Sequence, residues 1–165
     1  AEMMREPLFP VPLDIFDAQM HYRDFTAGES FSIEGQVEVK TALLNHPNGA
    51  CGYRICYGDK SVCYVTDTEH KDGHVDQHIL ELIKGSDLFI YDATYKKEDY
   101  PLYEGWGHST ADAGLELARA AGVKHYVLFH HNPDYDDDSM DTLAERVKGF
   151  NVPTHIAREG QEIII

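Results

Sequence analysis

Two adjacent histidines, His130 and His131, close a short apolar run from Tyr126 to Phe129 and open at once onto a Pro- and Asp-rich loop. An apolar run bounded by turn signals reads as a buried strand, which sets the pair where that strand leaves its sheet. Three other stretches end the same way: TALLNHPNG delivers His46, SVCYVTDTEH delivers Asp67 and DLFIYDATY delivers Asp92. Imidazoles and carboxylates released at several strand ends are what a metal or acid–base site on the rim of a sheet requires. His46, Asp67 and His130 together offer two imidazoles and one carboxylate, a mixture that suits zinc, manganese or iron. Neighbouring side chains of an extended strand point to opposite sides, so one histidine of the pair is expected to face the site.

His108 stands in GWGHSTADAG, directly before a helix N-cap. An imidazole held and charged by Asp92 can protonate a leaving oxygen near neutral pH, so His108 is a candidate general acid. HVDQH sets His74 and His78 four apart, a helical spacing that can bind metal, but no glutamate adjoins the first histidine and the surroundings read as solvent-facing. Each candidate has a plainer reading. His46 can be a loop histidine, His108 a loop residue ahead of a cap, and Asp67 a helix N-cap or ion-pair partner. The run Asp134 to Asp138 can be a solvated loop that favours the following helix N-terminus. Gly-rich phosphate loops, a GxSxG elbow and a basic–aromatic patch have no match in the sequence.

The elements that must position these groups follow from the pattern. FSIEGQVEVKTALLN alternates apolar and polar positions and reads as two strands turning at Gly35; GYRICYGDKSVCYVTD reads as a hairpin over Gly58 and Asp59. HVDQHILELIKG reads as a helix closing on Gly85, and DLFIYDA as a strand. A helix capped by Ser109 or Thr110 ends at Gly122, and the strand HYVLFH follows it. TLAERVKGF reads as a last helix, and THIAREGQEIII as a final hairpin. Before them, residues 1 to about 22, with Pro7, Pro10 and Pro12, read as an extended surface segment. The order is an α/β pattern preceded by antiparallel strands, in a single domain over residues 1–165.

At 165 residues, 42% hydrophobic and 26% charged, the chain is long enough to bury a core. Its 29 acidic and 14 basic side chains give a net charge of −15, which repels polyphosphate. Long nucleic acid is therefore an unlikely partner, and a small anionic substrate held by metal the expected one. No apolar run nears the roughly 20 residues of a membrane span, and the start lacks a secretory pattern, so a cytoplasmic protein without membrane contact is expected. The chain begins at Ala1, which leaves residues upstream open. Cys51, Cys56 and Cys63 lack CxxC spacing and read as small hydrophobes in a reducing compartment.

Taken in order, NHPNGACGYRI, YVTDTEH, DLFIYDATY and GWGHSTADAGLELARAAGVKHYVLFHHNP resemble the C-terminal part of a metallo-β-lactamase-fold hydrolase. The nearest branches are the ribonuclease Z-like and cyclic-nucleotide-phosphodiesterase-like proteins. The resemblance implies an α/β fold of the metallo-β-lactamase αββα sandwich type, lacking its N-terminal portion. It implies two divalent metal ions, zinc foremost, with manganese or iron as alternatives. His46 resembles the histidine that completes the first metal site, Asp67 the aspartate that bridges both metals, and His130 the late histidine of the second. His108 resembles the proton donor and Asp92 the acid that orients it. The implied reaction is hydrolysis of a small phosphodiester, such as a cyclic nucleotide, by metal-activated water. The family's HxHxDH motif has no counterpart in this sequence: His21 is isolated, and HVDQH lies on the wrong side of Asp67. The motif is then expected from an upstream segment or another chain, and a homo-oligomer is the expected assembly where no such segment exists. The alternative is an inactive or fragmentary module that acts through association.

Overall fold

A computed structural model describes residues 17–71 and 73–165, with Pro7 and Val11 as isolated positions. Most of the proline-rich opening, expected to be extended, lies outside the described residues. Two antiparallel hairpins come first. β1 (Ser30–Ile33) pairs with β2 (Val37–Leu44) across a turn in which Gly35 takes a φ of 69°, a left-handed conformation that glycine adopts without a Cβ clash. β3 (Ala50–Tyr57) and β4 (Lys60–Val65) join over Gly58 and Asp59, with Tyr57 opposite Lys60.

From β4 the chain alternates helix and strand. Helix α1 (Gln77–Ile83) is capped by the Asp76 carboxylate, which accepts from the His78 and Ile79 amides, and it leads to β5 (Leu88–Asp92). Helix α2 (Ala111–Ala121) starts on the Thr110 hydroxyl and stops at left-handed Gly122, before β6 (His125–Phe129). Helix α3 (Asp137–Val147) then returns the chain to β7 (Thr154–Ile156). Strands β4 to β7 pair in parallel, and the seven-stranded sheet keeps sequence order throughout.

The register decides the two faces. Phe89, Tyr91, Tyr126 and Leu128 share one face and form the core with Ile79, Ile83, Leu115 and Ala118 of the helices. Gly114 marks the closest approach of α2 to the sheet: a Cβ there would sit 2.1 Å from Tyr126 Oη and 2.5 Å from Tyr91 Cδ1. The opposite face carries Leu43, Ile55, Tyr57, Tyr64 and Phe129, all still exposed. The described residues therefore form one helical layer and one sheet of the expected αββα arrangement. No described helix is long and apolar enough to cross a membrane.

Three local expectations differ. α3 begins at Asp137 rather than Thr142, because the acidic run supplies both its N-cap, Asp136, and its first-turn acids. The final hairpin is a single strand: β7 pairs with β6, the chain turns between Arg158 and Gln161, and no described residue beyond Ile156 joins the sheet. His74 bridges to Lys71 ahead of α1, so it shares no helical face with His78.

Candidate metal centre and its acid–base groups

The rim residues are aimed by backbone turns that the sequence does not announce. Asp67, just beyond β4, and His130, just beyond β6, both take a φ of 59°. A left-handed residue with a Cβ costs roughly 1 kcal/mol, so each turn must be held from outside. The Asp67 amide donates to Asp92 Oδ2 at 3.0 Å, and Thr94 Oγ1 lies 2.7 Å from both the His130 carbonyl and Asp92 Oδ1, sharing its one proton between them. Each strand thus breaks its extended path where its polar side chain leaves the sheet.

Asp92 is the hub. Its side chain is fully buried, and each carboxylate oxygen meets three donors. Oδ2 accepts from the Asp67 amide and lies 3.0 Å from His108 Nδ1 and 3.1 Å from His130 Nδ1. Oδ1 accepts from the Thr94 amide and hydroxyl and from the Ser109 amide. Burial alone would raise this carboxyl's pKa, but the hydrogen bonds from His108, His130, Thr94 and Ser109 outweigh it and hold the group well below the usual carboxylate range. With its lone pairs engaged, Asp92 is placed to orient rings rather than to take a further ligand. The His130 pKa is raised, first by the Asp92 hydrogen bond, against burial and with help from the Asp67 charge.

Two sets of side chains bring their ligand atoms within 4.8 Å of one another: His46, Asp67 and His108, and Asp92, His108 and His130. His108 belongs to both, its ring centroid 6.1 Å from His46 and 5.0 Å from His130. The expected trio His46, Asp67 and His130 is therefore linked through His108 rather than forming a set of its own. Thr66 Oγ1 donates to Asp67 Oδ2 at 3.1 Å and steadies that carboxylate. His131 enters neither set; burial pushes its pKa down, opposed by the Ala157 backbone. His74 and His78 enter neither set.

The loop that carries His108 depends on residues the sequence reading passed over. Gly107 has a φ of 86°, and a Cβ there would lie 2.3 Å from His46 Cδ2 and 2.7 Å from Pro47 Cδ. The Glu69 carboxylate accepts from the Gly105 amide at 2.9 Å and the Gly107 amide at 3.0 Å, and Tyr100 Oη, 3.2 Å from it, donates to the His70 carbonyl at 2.6 Å. Behind this, Ser109 Oγ lies 2.9 Å from both His70 Nδ1 and Tyr91 Oη. The spacing of Glu69 from Asp67 was the available signal, since a carboxylate beside a rim ligand is costly unless satisfied. Imidazole nitrogens and a half-buried carboxylate at these separations fit a divalent first-row cation by donor type.

Comparison with known proteins bears on the same features. Residues 4–131 match the beta-lactamase superfamily domain. Ribonuclease Z of Trichodesmium erythraeum is 39% identical over 139 residues, which is 82% of this chain and 39% of that protein. Ribonuclease Z of Brevibacillus brevis is 43% identical over 86 residues, 52% of this chain and 26% of that protein. The chain thus spans well under half the length of these relatives. The metallo-beta-lactamase fold protein YhfI from Bacillus subtilis superposes with a TM-score of 0.66 at 20% identity, covering 83% of this chain and 53% of that one. Zn(2+)-bound PqqB from Methylobacterium extorquens gives 0.61 at 17% identity, over 86% and 55%. These two likenesses speak to the fold alone. By sequence match, sheet architecture and order of motifs, the chain belongs to the beta-lactamase superfamily, as a metallo-β-lactamase-fold member of the ribonuclease Z-like kind.

Proposed function

We propose that this chain carries part of the active site of a metal-dependent phosphodiester hydrolase. The supporting observation is the convergence of His46, Asp67, His108 and His130 on one rim, with Asp92 buried behind them. In this reading His46, Asp67 and His130 hold divalent metal, zinc foremost and two ions in the complete centre, and His108 is the proton donor. A bound cation would supply Lewis-acid charge stabilisation and a water of lowered pKa. The chain's own residues do the rest. Asp92 occupies the Nδ1 side of both His108 and His130, so each ring turns Nε2 toward the rim. With its Nδ1 side held by Asp92, His108 can pass a proton from Nε2 to a leaving oxygen.

The remaining ligands are read as coming from elsewhere in the protein or from another chain. The apolar face opposite the helices supports this, because a second sheet covering it would bury Leu43, Ile55, Tyr64 and Phe129. Residues 1–165 are read as one domain of that assembly. Free Cys51, Cys56 and Cys63 suit a cytoplasmic setting. The ribonuclease Z relatives bring an RNA phosphodiester as the first substrate class. The net charge of −15 favours a small phosphodiester such as a cyclic nucleotide as the second. In relatives more than twice as long, one stretch does not set the charge of the whole surface.

The test is metal content together with turnover of bis-p-nitrophenyl phosphate, a transfer-RNA precursor and a cyclic nucleotide, for the full-length protein, with any second chain that completes its site, as wild type and as His130→Ala. Loss of bound metal and of turnover in the variant is expected. Wild-type levels of both would overturn the assignment of His130. A metal-free, inactive full-length protein would leave only the associating module.

A further inference from the structure

The loop between β5 and α2 assembles an aromatic series that no assigned role uses. Trp106 meets Tyr103 edge-on at 5.6 Å, Tyr103 lies flat on Tyr95 at 4.3 Å and 4°, and Tyr95 meets His108 edge-on at 6.0 Å. The inner rings are packing residues: Tyr95 is 6% exposed and Tyr103 half-buried. The outermost ring is not, since Trp106 is 63% exposed and Leu102 beside it 78%.

Single exposed apolar side chains are ordinary, so exposure alone decides nothing. What distinguishes Trp106 is its fixed position next to the chemistry. The Gly105 and Gly107 amides on either side of it are bound by Glu69, and its own amide donates to the Tyr103 carbonyl at 3.1 Å. Trp106 stands two residues before His108, and the ring contacts through Tyr103 and Tyr95 join the exposed indole to the imidazole. A rigid aromatic face beside a proton donor loses little entropy when another flat ring stacks on it.

We propose that Trp106, backed by Tyr103, is the stacking platform for a nucleobase of the substrate whose phosphate lies at His108. This rests on the phosphodiesterase reading and names the residue that holds the base of its nucleotide substrate. Stacking tolerates any base, so the platform supplies affinity and register without sequence preference.

Trp106 is the one tryptophan of the chain, so its fluorescence reports on the platform directly. Adenosine 5′-monophosphate should quench it saturably, and ribose 5-phosphate should not. By calorimetry, Trp106→Ala should bind adenosine 5′-monophosphate about tenfold more weakly, while Trp106→Phe stays within about threefold of wild type. Equal quenching by both ligands, no binding of the nucleotide at millimolar concentration, or unchanged affinity in Trp106→Ala would each overturn the platform. The two readings fail separately. Turnover of bis-p-nitrophenyl phosphate by the full-length protein without nucleotide quenching sinks the platform alone; quenching while the full-length protein turns over no phosphodiester sinks the hydrolase alone.

Discussion

Replacing Asp92 by Asn tests the hub most directly, because the change is nearly isosteric and only the hydrogen-bonding character differs. An amide offers one acceptor oxygen where the carboxylate offered two, each facing three donors. The amide oxygen is best kept toward Thr94 and Ser109, whose backbone donors cannot adapt. The NH2 group then faces His108 and His130, which can move their protons to Nε2 and accept. The Asp67 amide has no such freedom and is left unpaired, a cost of about 1–3 kcal/mol for a buried donor. Loss of the charge-assisted bonds brings the total to about 3–5 kcal/mol, as for removal of one partner from a buried ionic network. With a urea dependence of about 2 kcal/mol per molar, the unfolding midpoint should fall by about 2 M in metal-free buffer.

The pH dependence of that gap follows from the shifts. The Asp92 pKa is lowered, so its contribution is present above the unfolded value near 3.9 and lost as pH falls toward the folded one. The His130 pKa is raised, so its contribution is present below about 6.5 and lost as pH rises through the folded value. The gap should therefore be widest between roughly pH 4 and 6.5. Protons moved to Nε2 should also weaken metal binding by about 10- to 100-fold. A midpoint within about 0.3 M of wild type, or a gap that widens from pH 5.5 to pH 8, would refute the reasoning.

Two further outcomes follow from single contacts. Gly107→Ala should lower metal affinity and turnover and lower the urea midpoint by about 0.5–1.5 M, because its Cβ collides with His46 and Pro47 and a φ of 86° strains a residue with a side chain; unchanged metal titration would count against that collision. Asp87 is buried, with a pKa lowered by its hydrogen bond to Lys124 against burial and with help from the Ser61 amide. Its contribution is present above about pH 3.9 and lost as pH falls through the folded value, so Asp87→Asn should be less stable than wild type at pH 7 and converge with it below about pH 3, as circular dichroism during acid titration would show.

The elements were legible because each carries its own punctuation: glycine at the hairpin turns, Thr110 and Gly122 at the ends of α2, apolar runs in β5 and β6. The rim was legible for the same reason, since His46, Asp67, Asp92 and His130 each end such a run. The joint orientation of two imidazoles by Asp92 was not, because it depends on β4, β5 and β6 lying side by side with their ends level. The left-handed turns at Asp67 and His130 have no sequence signature, as neither residue is glycine. Glu69 and the rings of Tyr95, Tyr103 and Trp106 were passed over because their partners lie across loops. The C-terminal run EIII looked like a strand by composition alone, and the turn before it never brings it beside β7.

A sheet whose spatial order repeats the order of synthesis has an assembly consequence. No strand must be threaded between two others, and every new strand finds its neighbour already made, across a tight turn for the hairpins and one helix for the parallel strands. Closure distances stay short for a seven-stranded sheet, which favours fast folding. The rim groups accordingly become available in sequence during synthesis, with His46 and Asp67 first, Asp92 and His108 next, and His130 last.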